Sequence, residues 1–106
     1  MIRDILKTLT KREENVLRLY FGIDVKRTTL AEIGQDFDKT SNTVRKIKKK
    51  GIYKVINRVT NIEHFNSLSS QIDKDLIERC IKERKSKLLD EFMVNLLQSR
   101  DVSTKI

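Results

Sequence analysis

The sequence contains no proline and only three glycines, the residues on which tight turns and sheet corners depend. Its 38% hydrophobic residues are nearly matched by 36% charged ones. This is the composition of helices joined by short polar links, and an all-α fold is expected. No apolar run approaches the roughly 20 residues needed to span a bilayer, and the start "MIRDILKTLT" lacks the long apolar core of a signal peptide. No membrane partner is therefore expected, and the cytoplasm is the default location. The single cysteine, Cys80, excludes an internal disulfide. Within "LIERCIKE" it reads as a small buried or partly buried hydrophobe, in keeping with a reducing compartment. At 106 residues the chain holds one small domain, with or without an extension, and buries about 60 to 70% of its unfolded surface. That leaves little room for a deep catalytic cleft.

Acidic residues are missing from one place. Between positions 39 and 62 there is none, whereas Lys39, Arg45, Lys46, Lys48, Lys49, Lys50, Lys54 and Arg58 all fall there. Charges cancel on either side, so this segment carries the whole net charge of +8. A solvated helix face ordinarily mixes signs at i,i+4 spacing, and here like charges repel instead. The negative charge is expected to come from a polyanion outside the chain.

In "TKREENVLRLYFGID", Thr10 is an N-cap with Glu13 completing a capping box, Val16, Leu17 and Tyr20 recur at helical spacing with Phe21 beside them, and Gly22 stands at the stop. Ahead of it, Ile2, Ile5, Leu6 and Leu9 form a short amphipathic lead-in to the same core. After the polar "VKRT", Thr29 caps a second helix, "LAEIGQDF", whose inner stripe is Leu30, Ile33, Gly34 and Phe37. The glycine in that stripe suggests a close helix crossing. A tight "DKT" link leads to a third helix capped by Thr40, with Val44, Ile47 and Gly51 inward.

Two short helices joined by three or four residues, the second strongly basic, have the sequence form of a helix-turn-helix. At 100° per residue, Asn42, Arg45, Lys46 and Lys49 share one face of the third helix, opposite its apolar positions. That face is free to enter a major groove with Ser41 and Asn42 at its leading end, while Lys39, Lys48, Lys50 and Lys54 are available to the DNA backbone. Thr40, Ser41 and the first helical amides can hold a phosphate.

"LTKREENVLRLYFGID" followed by "TLAEIGQDFDKTSNTVRKIKKKGIYKV" resembles region 4 of the primary sigma factors of bacterial RNA polymerase. The match runs from about Leu9 to Arg58, roughly half the chain. It implies a helical domain that docks on the flap of the polymerase β subunit while its helix-turn-helix reads the −35 promoter element. Arg45 matches the family pattern. Departures cluster on the reading helix: Ser41 and Asn42 stand for Arg and Glu, Lys46 for Gln, Lys48 for an acid and Gly51 for Ala. Serine is short and ambiguous where arginine makes a bidentate contact with guanine, and Lys46 is a point charge suited to phosphate or guanine. The family's promoter preference is therefore not carried over, and a more basic, less discriminating helix is expected. Nothing before Leu9 supplies the other domains of an initiation factor, so the chain reads as a separately encoded region-4-like regulator or as a fragment.

The division expected is residues 1–58 as the region-4-like domain and 59–106 as a helical extension. In the extension, Thr60 and Glu63 form a capping box for a short helix with Ile62 and Phe65 inward. His64 has no ligand partner at metal-binding spacing and reads as an ordinary surface or partly packed histidine. Ser70 then caps a long helix carrying Ile72, Leu76, Ile77 and Cys80, then Leu88, Leu89, Phe92, Met93, Leu96 and Leu97, with "KERKSK" marking a bend between the two blocks. Those apolar residues either pack back on the domain or form a surface for a homodimer or another partner. Serine, histidine and carboxylates show no triad order and no Gly-rich phosphate loop is present, so neither catalysis nor a cofactor or metal is expected. The leading functional reading is a DNA-binding protein of transcription initiation. The alternative is an interaction module for RNA polymerase or another regulator, with non-specific DNA contact.

Overall fold

The computed structural model describes residues 2–61 and 74–104. They form α1 (Ile2–Leu6), α2 (Lys11–Phe21), α3 (Leu30–Phe37), α4 (Ser41–Thr60), α5 (Lys74–Glu83) and α6 (Ser86–Thr104), and no strand occurs among the described residues. The expected all-α class holds.

Side chains mark where these helices begin. The Thr10 hydroxyl accepts the Glu13 amide at 3.2 Å while Glu13 Oε1 accepts the Thr10 amide at 3.1 Å, a reciprocal capping box. Thr29 and Glu32 repeat it for α3, and Thr40 caps α4 by accepting the Thr43 amide at 3.1 Å. Each cap satisfies donors that a helix start otherwise leaves open, about 1 kcal/mol apiece. Gly22 ends α2 in the left-handed region at φ 70°, the conformation glycine adopts without penalty.

α2 separates two apolar cores. On one side Val16 meets Ile33 of α3 and Val44 of α4, with Leu30, Phe37 and Ile47 around them. This small core fixes the helix-turn-helix. On the other side Leu17 joins Ile2, Ile5 and Leu6 of α1, Ile52, Val55 and Ile56 of α4, and Cys80, Leu89, Phe92 and Met93 of the C-terminal helices. The larger core thus holds residues of both the 1–58 and 59–106 segments. Of the two readings of the extension's apolar residues, most follow the first: Leu76, Ile77, Leu88 and Leu96 are also buried, and only Ile81 and Val94 of the described extension are large, apolar and exposed.

Three expectations change in detail. The long C-terminal helix is two helices, broken at Arg84, which adopts φ 56°, so the polar "KERKSK" stretch contains a break and not merely a bend. Thr60 is the last residue of α4, its hydroxyl donating to the Asn57 carbonyl at 3.1 Å, and its expected partner Glu63 lies outside the described residues. The short helix with Ile62 and Phe65, together with His64, Ser70 and Ile72, lies outside the described residues. Gly34 does mark a close approach, but its neighbour is the turn: a Cβ there would stand 2.5 Å from the Lys39 carbonyl oxygen. That bare Cα lets the Lys39 amide reach the Gly34 carbonyl at 2.7 Å and closes the α3–α4 link.

Candidate nucleic-acid interface

The link between α3 and α4 is three residues, Asp38, Lys39 and Thr40. Asp38 takes the left-handed conformation at φ 57°, which an aspartate tolerates better than most residues. With Gly34 admitting the Lys39 carbonyl and the Val16–Ile33–Val44 core behind the turn, the N-terminal half of α4 is held by its inner face alone. Its outer face is left open.

On that face Ser41, Asn42, Arg45, Lys46 and Lys50 are exposed and Lys49 is half-buried, while Lys39 and Thr40 stand exposed at the turn. No ion pair engages Arg45, Lys46, Lys49 or Lys50 among the described residues. The structure therefore gathers eight of the ten residues expected at the interface on or beside one uncovered surface.

The other two have internal partners. Lys48 is only 2% exposed, its ammonium 2.9 Å from Asp90 Oδ1 of α6 and 4.3 Å from the centre of the Tyr20 ring. The Tyr20 hydroxyl donates to the second Asp90 oxygen at 3.3 Å. Lys48 was expected to face the DNA backbone; it lies instead on the packed side of α4, and its charge is neutralised within the fold. The arrangement also ties α6 to the helix-turn-helix by polar contacts as well as by apolar packing. Lys54 is intermediate: its ammonium donates to Glu13 Oε1 at 2.9 Å while its side chain stays one-third exposed. Glu13 is itself buried. Burial raises its pKa, but the Lys54 and Thr10 hydrogen bonds outweigh this and hold the carboxyl below its ordinary value.

A shallow cleft of about 640 Å³ opens between the start of α3 and the start of α4, lined by Arg27, Thr28, Thr29, Ser41 and Arg45 among others. The Arg27 guanidinium lies 5.7 Å from the Tyr20 ring centre and donates to the Tyr20 carbonyl at 3.2 Å. The two helix N-termini thus flank one depression edged by two arginines, a setting that favours a phosphate. Sequence reasoning passed over Arg27 and Thr29 as interface residues, because a loop has no periodicity to assign its side chains to a face. The one available signal was the basic pair Lys26–Arg27 directly before a helix cap.

Away from this surface, Arg3 makes two hydrogen bonds to Asp24, at 2.6 and 2.8 Å, and Arg18 bridges Asp24 and Glu14. The Arg3 hydrogen bond is the main cause that holds Asp24 down at about 2. Cys80 is buried, its thiol donating to the Leu88 carbonyl at 3.2 Å, and burial pushes its pKa up. It is the inert core residue that its sequence context suggested. No cluster of metal-ligating side chains occurs among the described residues, and no described helix is long and apolar enough to cross a membrane.

Comparison with known proteins agrees with the sequence resemblance. Residues 5–55 match the family profile "Sigma-70, region 4". Over 55 residues the chain is 51% identical to the RNA polymerase sigma factor SigA of a Bacillus species and, again at 51%, to that of Listeria monocytogenes. The alignment covers 51% of this chain and 15% of either relative. No solved structure gives a significant match.

Proposed function

We propose that this chain, whose residues 5–55 belong to the sigma-70 region 4 family, binds promoter-type double-stranded DNA through the outer face of α4 and acts in transcription initiation beside RNA polymerase. The observation that carries the reading is the open face itself. Lys46, Lys49 and Lys50 lie beside Arg45 on a helix fixed only from behind, and no acid neutralises them among the described residues. Ser41, Asn42, Arg45, Lys46 and Lys49 enter the major groove, with Arg45 as the base reader, and Lys39, Thr40 and Lys50 hold phosphates. Arg27 and Thr29 add a phosphate contact at the start of α3. Lys48 has no part in the contact and Lys54 a minor one. The relatives named above are RNA polymerase sigma factors, which supports a polymerase partner for this chain as well.

The test is fluorescence anisotropy on a −35-containing duplex and a scrambled duplex, titrated from low to physiological salt. Sequence reading predicts that the promoter duplex holds a tenfold or larger advantage, about 1.4 kcal/mol, as salt rises. Arg45→Ala is expected to cost about 1 to 3 kcal/mol on the promoter duplex and much less on the scrambled one. Equal losses on both would count against base reading and would leave α4 as an electrostatic clamp for a protein-interaction module.

A further inference from the structure

A second basic groove joins residues of the family match to residues from beyond it. It runs between the middle of α4 and the turn that joins α5 to α6, has a volume of about 490 Å³, and is lined by Lys46, Lys49, Lys50, Tyr53, Lys54 and Arg84. Arg84 comes from the C-terminal extension. Its guanidinium lies 5.1 Å from the centre of the Tyr53 ring, and no carboxylate pairs with it among the described residues, the nearby Glu83 being engaged by Arg79 and Lys85. Arg84 also occupies a left-handed position at φ 56°, where glycine or asparagine is the low-cost choice at a helix end. The Tyr53 hydroxyl is buried without a hydrogen-bond partner among the described residues.

We infer that this groove seats a phosphate of the DNA strand bordering the major groove, with Arg84 as a contact supplied by the extension. The inference rests on the DNA-binding reading above. α4 has 20 residues and is about 30 Å long, whereas the major groove is about 12 Å wide. A helix that enters by Ser41 and Asn42 must pass over the flanking backbone further along. Tyr53 stands eleven residues beyond Asn42, about 16 Å along the axis, and falls within 20° of it around the helix. The groove therefore continues the reading face at the point where α4 leaves the bases. There the Tyr53 ring fixes one face of the Arg84 guanidinium and leaves its N–H edge free for phosphate oxygens. This geometry gives the extension, whose apolar residues are spent on the core, a direct role in DNA affinity.

The experiment uses the full chain, Arg84→Gly, and Arg79→Ala as a control that removes one positive charge from the adjoining α5. Glycine relieves the left-handed backbone, so a loss of binding in Arg84→Gly does not reflect impaired folding. Affinity is measured on promoter and scrambled duplexes across salt, then on promoter duplexes carrying single neutral methylphosphonate linkages. Arg84→Gly is expected to weaken both duplexes roughly three- to tenfold and to reduce the salt slope by about 0.9, more than Arg79→Ala does. One methylphosphonate position beside the α4 site is expected to weaken wild type but not Arg84→Gly. If Arg84→Gly matches Arg79→Ala while Arg45→Ala still weakens the promoter duplex, the phosphate seat is overturned and the DNA reading stands. If wild type binds neither duplex in a salt-dependent way, both fall together. If polyglutamate competes through Arg84 and no linkage position depends on it, the groove serves an acidic protein and the inference is overturned.

Discussion

Lys46 and Lys48 stand two positions apart on α4. Lys46 is exposed and makes no ion pair among the described residues, whereas Lys48 is 2% exposed and held by Asp90 and the Tyr20 ring. Two residues turn a helix by about 200°, enough to move a side chain from the open face to the packed one. What neutralises Lys48 is an acid 42 positions later in the chain. The outer face of α4 keeps its charge unpaired among the described residues, and the inner face uses the same residue type to hold the C-terminal helix. The basic block is thus two populations in different surroundings.

The largest effect is expected from breaking the inner face. Asp90→Ala leaves the Lys48 ammonium buried without a counter-charge and removes the acceptor of Tyr20. Stability is expected to fall by roughly 3 kcal/mol, toward the lower end of the range for such losses because Asp90 is itself 29% exposed. Urea denaturation measures this, and a change below about 0.5 kcal/mol would mean that the ion pair does not hold α6. Next in size is the turn that aims the outer face. A Cβ at Gly34 would press on the Lys39 carbonyl, so Gly34→Ala is expected to cost about 1 to 3 kcal/mol and to weaken DNA binding by displacing the start of α4. An unchanged thermal midpoint would show that the turn yields freely.

Two substitutions compare the faces directly. Lys50→Ala is expected to weaken all duplexes alike and to lower the salt slope by about 0.9, whereas Lys48→Met, which keeps the buried stem, is expected to leave the slope unchanged. Equal slopes for both variants would erase the distinction between the faces.

The smallest effect is acid destabilisation. For Asp24 the Arg3 hydrogen bond comes first among the causes that lower its pKa, to about 2, and Glu13 is held below its ordinary value against the opposing effect of burial. Both carboxylates have depressed folded-state values, so their stabilisation is complete above the unfolded carboxylate range near 4 and is lost as pH falls through the folded values. The thermal midpoint is expected to drop between about pH 4 and pH 2, and Arg3→Gln to reduce the part of that drop due to Asp24. A pH-independent midpoint over this window would exclude both contributions.

Much of this molecule was legible before its structure. The caps at Thr10, Thr29 and Thr40, the stop at Gly22, the apolar stripes of α2 to α4 and the outward face of Asn42, Arg45, Lys46 and Lys49 all follow from interactions within three or four residues in sequence. Such local rules are carried by the chain itself. The fate of Lys48 was not legible, because its partner Asp90 lies on a helix whose docking depends on the whole core. Arg84 was equally hidden: a polar break between two apolar blocks can be read from the sequence, but not the tyrosine ring against which that break folds.

The sequence by itself determined the N-terminal caps and inner faces of α2 to α4, the likeness of residues 5–55 to sigma-70 region 4 and the surplus of positive charge on α4, since composition, capping and 3.6-residue periodicity act over short distances. Tertiary structure alone decided which of those charges remain free, because that depends on where Glu13, Asp90 and the aromatic rings come to rest. It also decided that the extension shares the main core and lends Arg84 to the groove beside α4, since large apolar side chains on α5 and α6 find their cheapest burial against the helix that carries the charge.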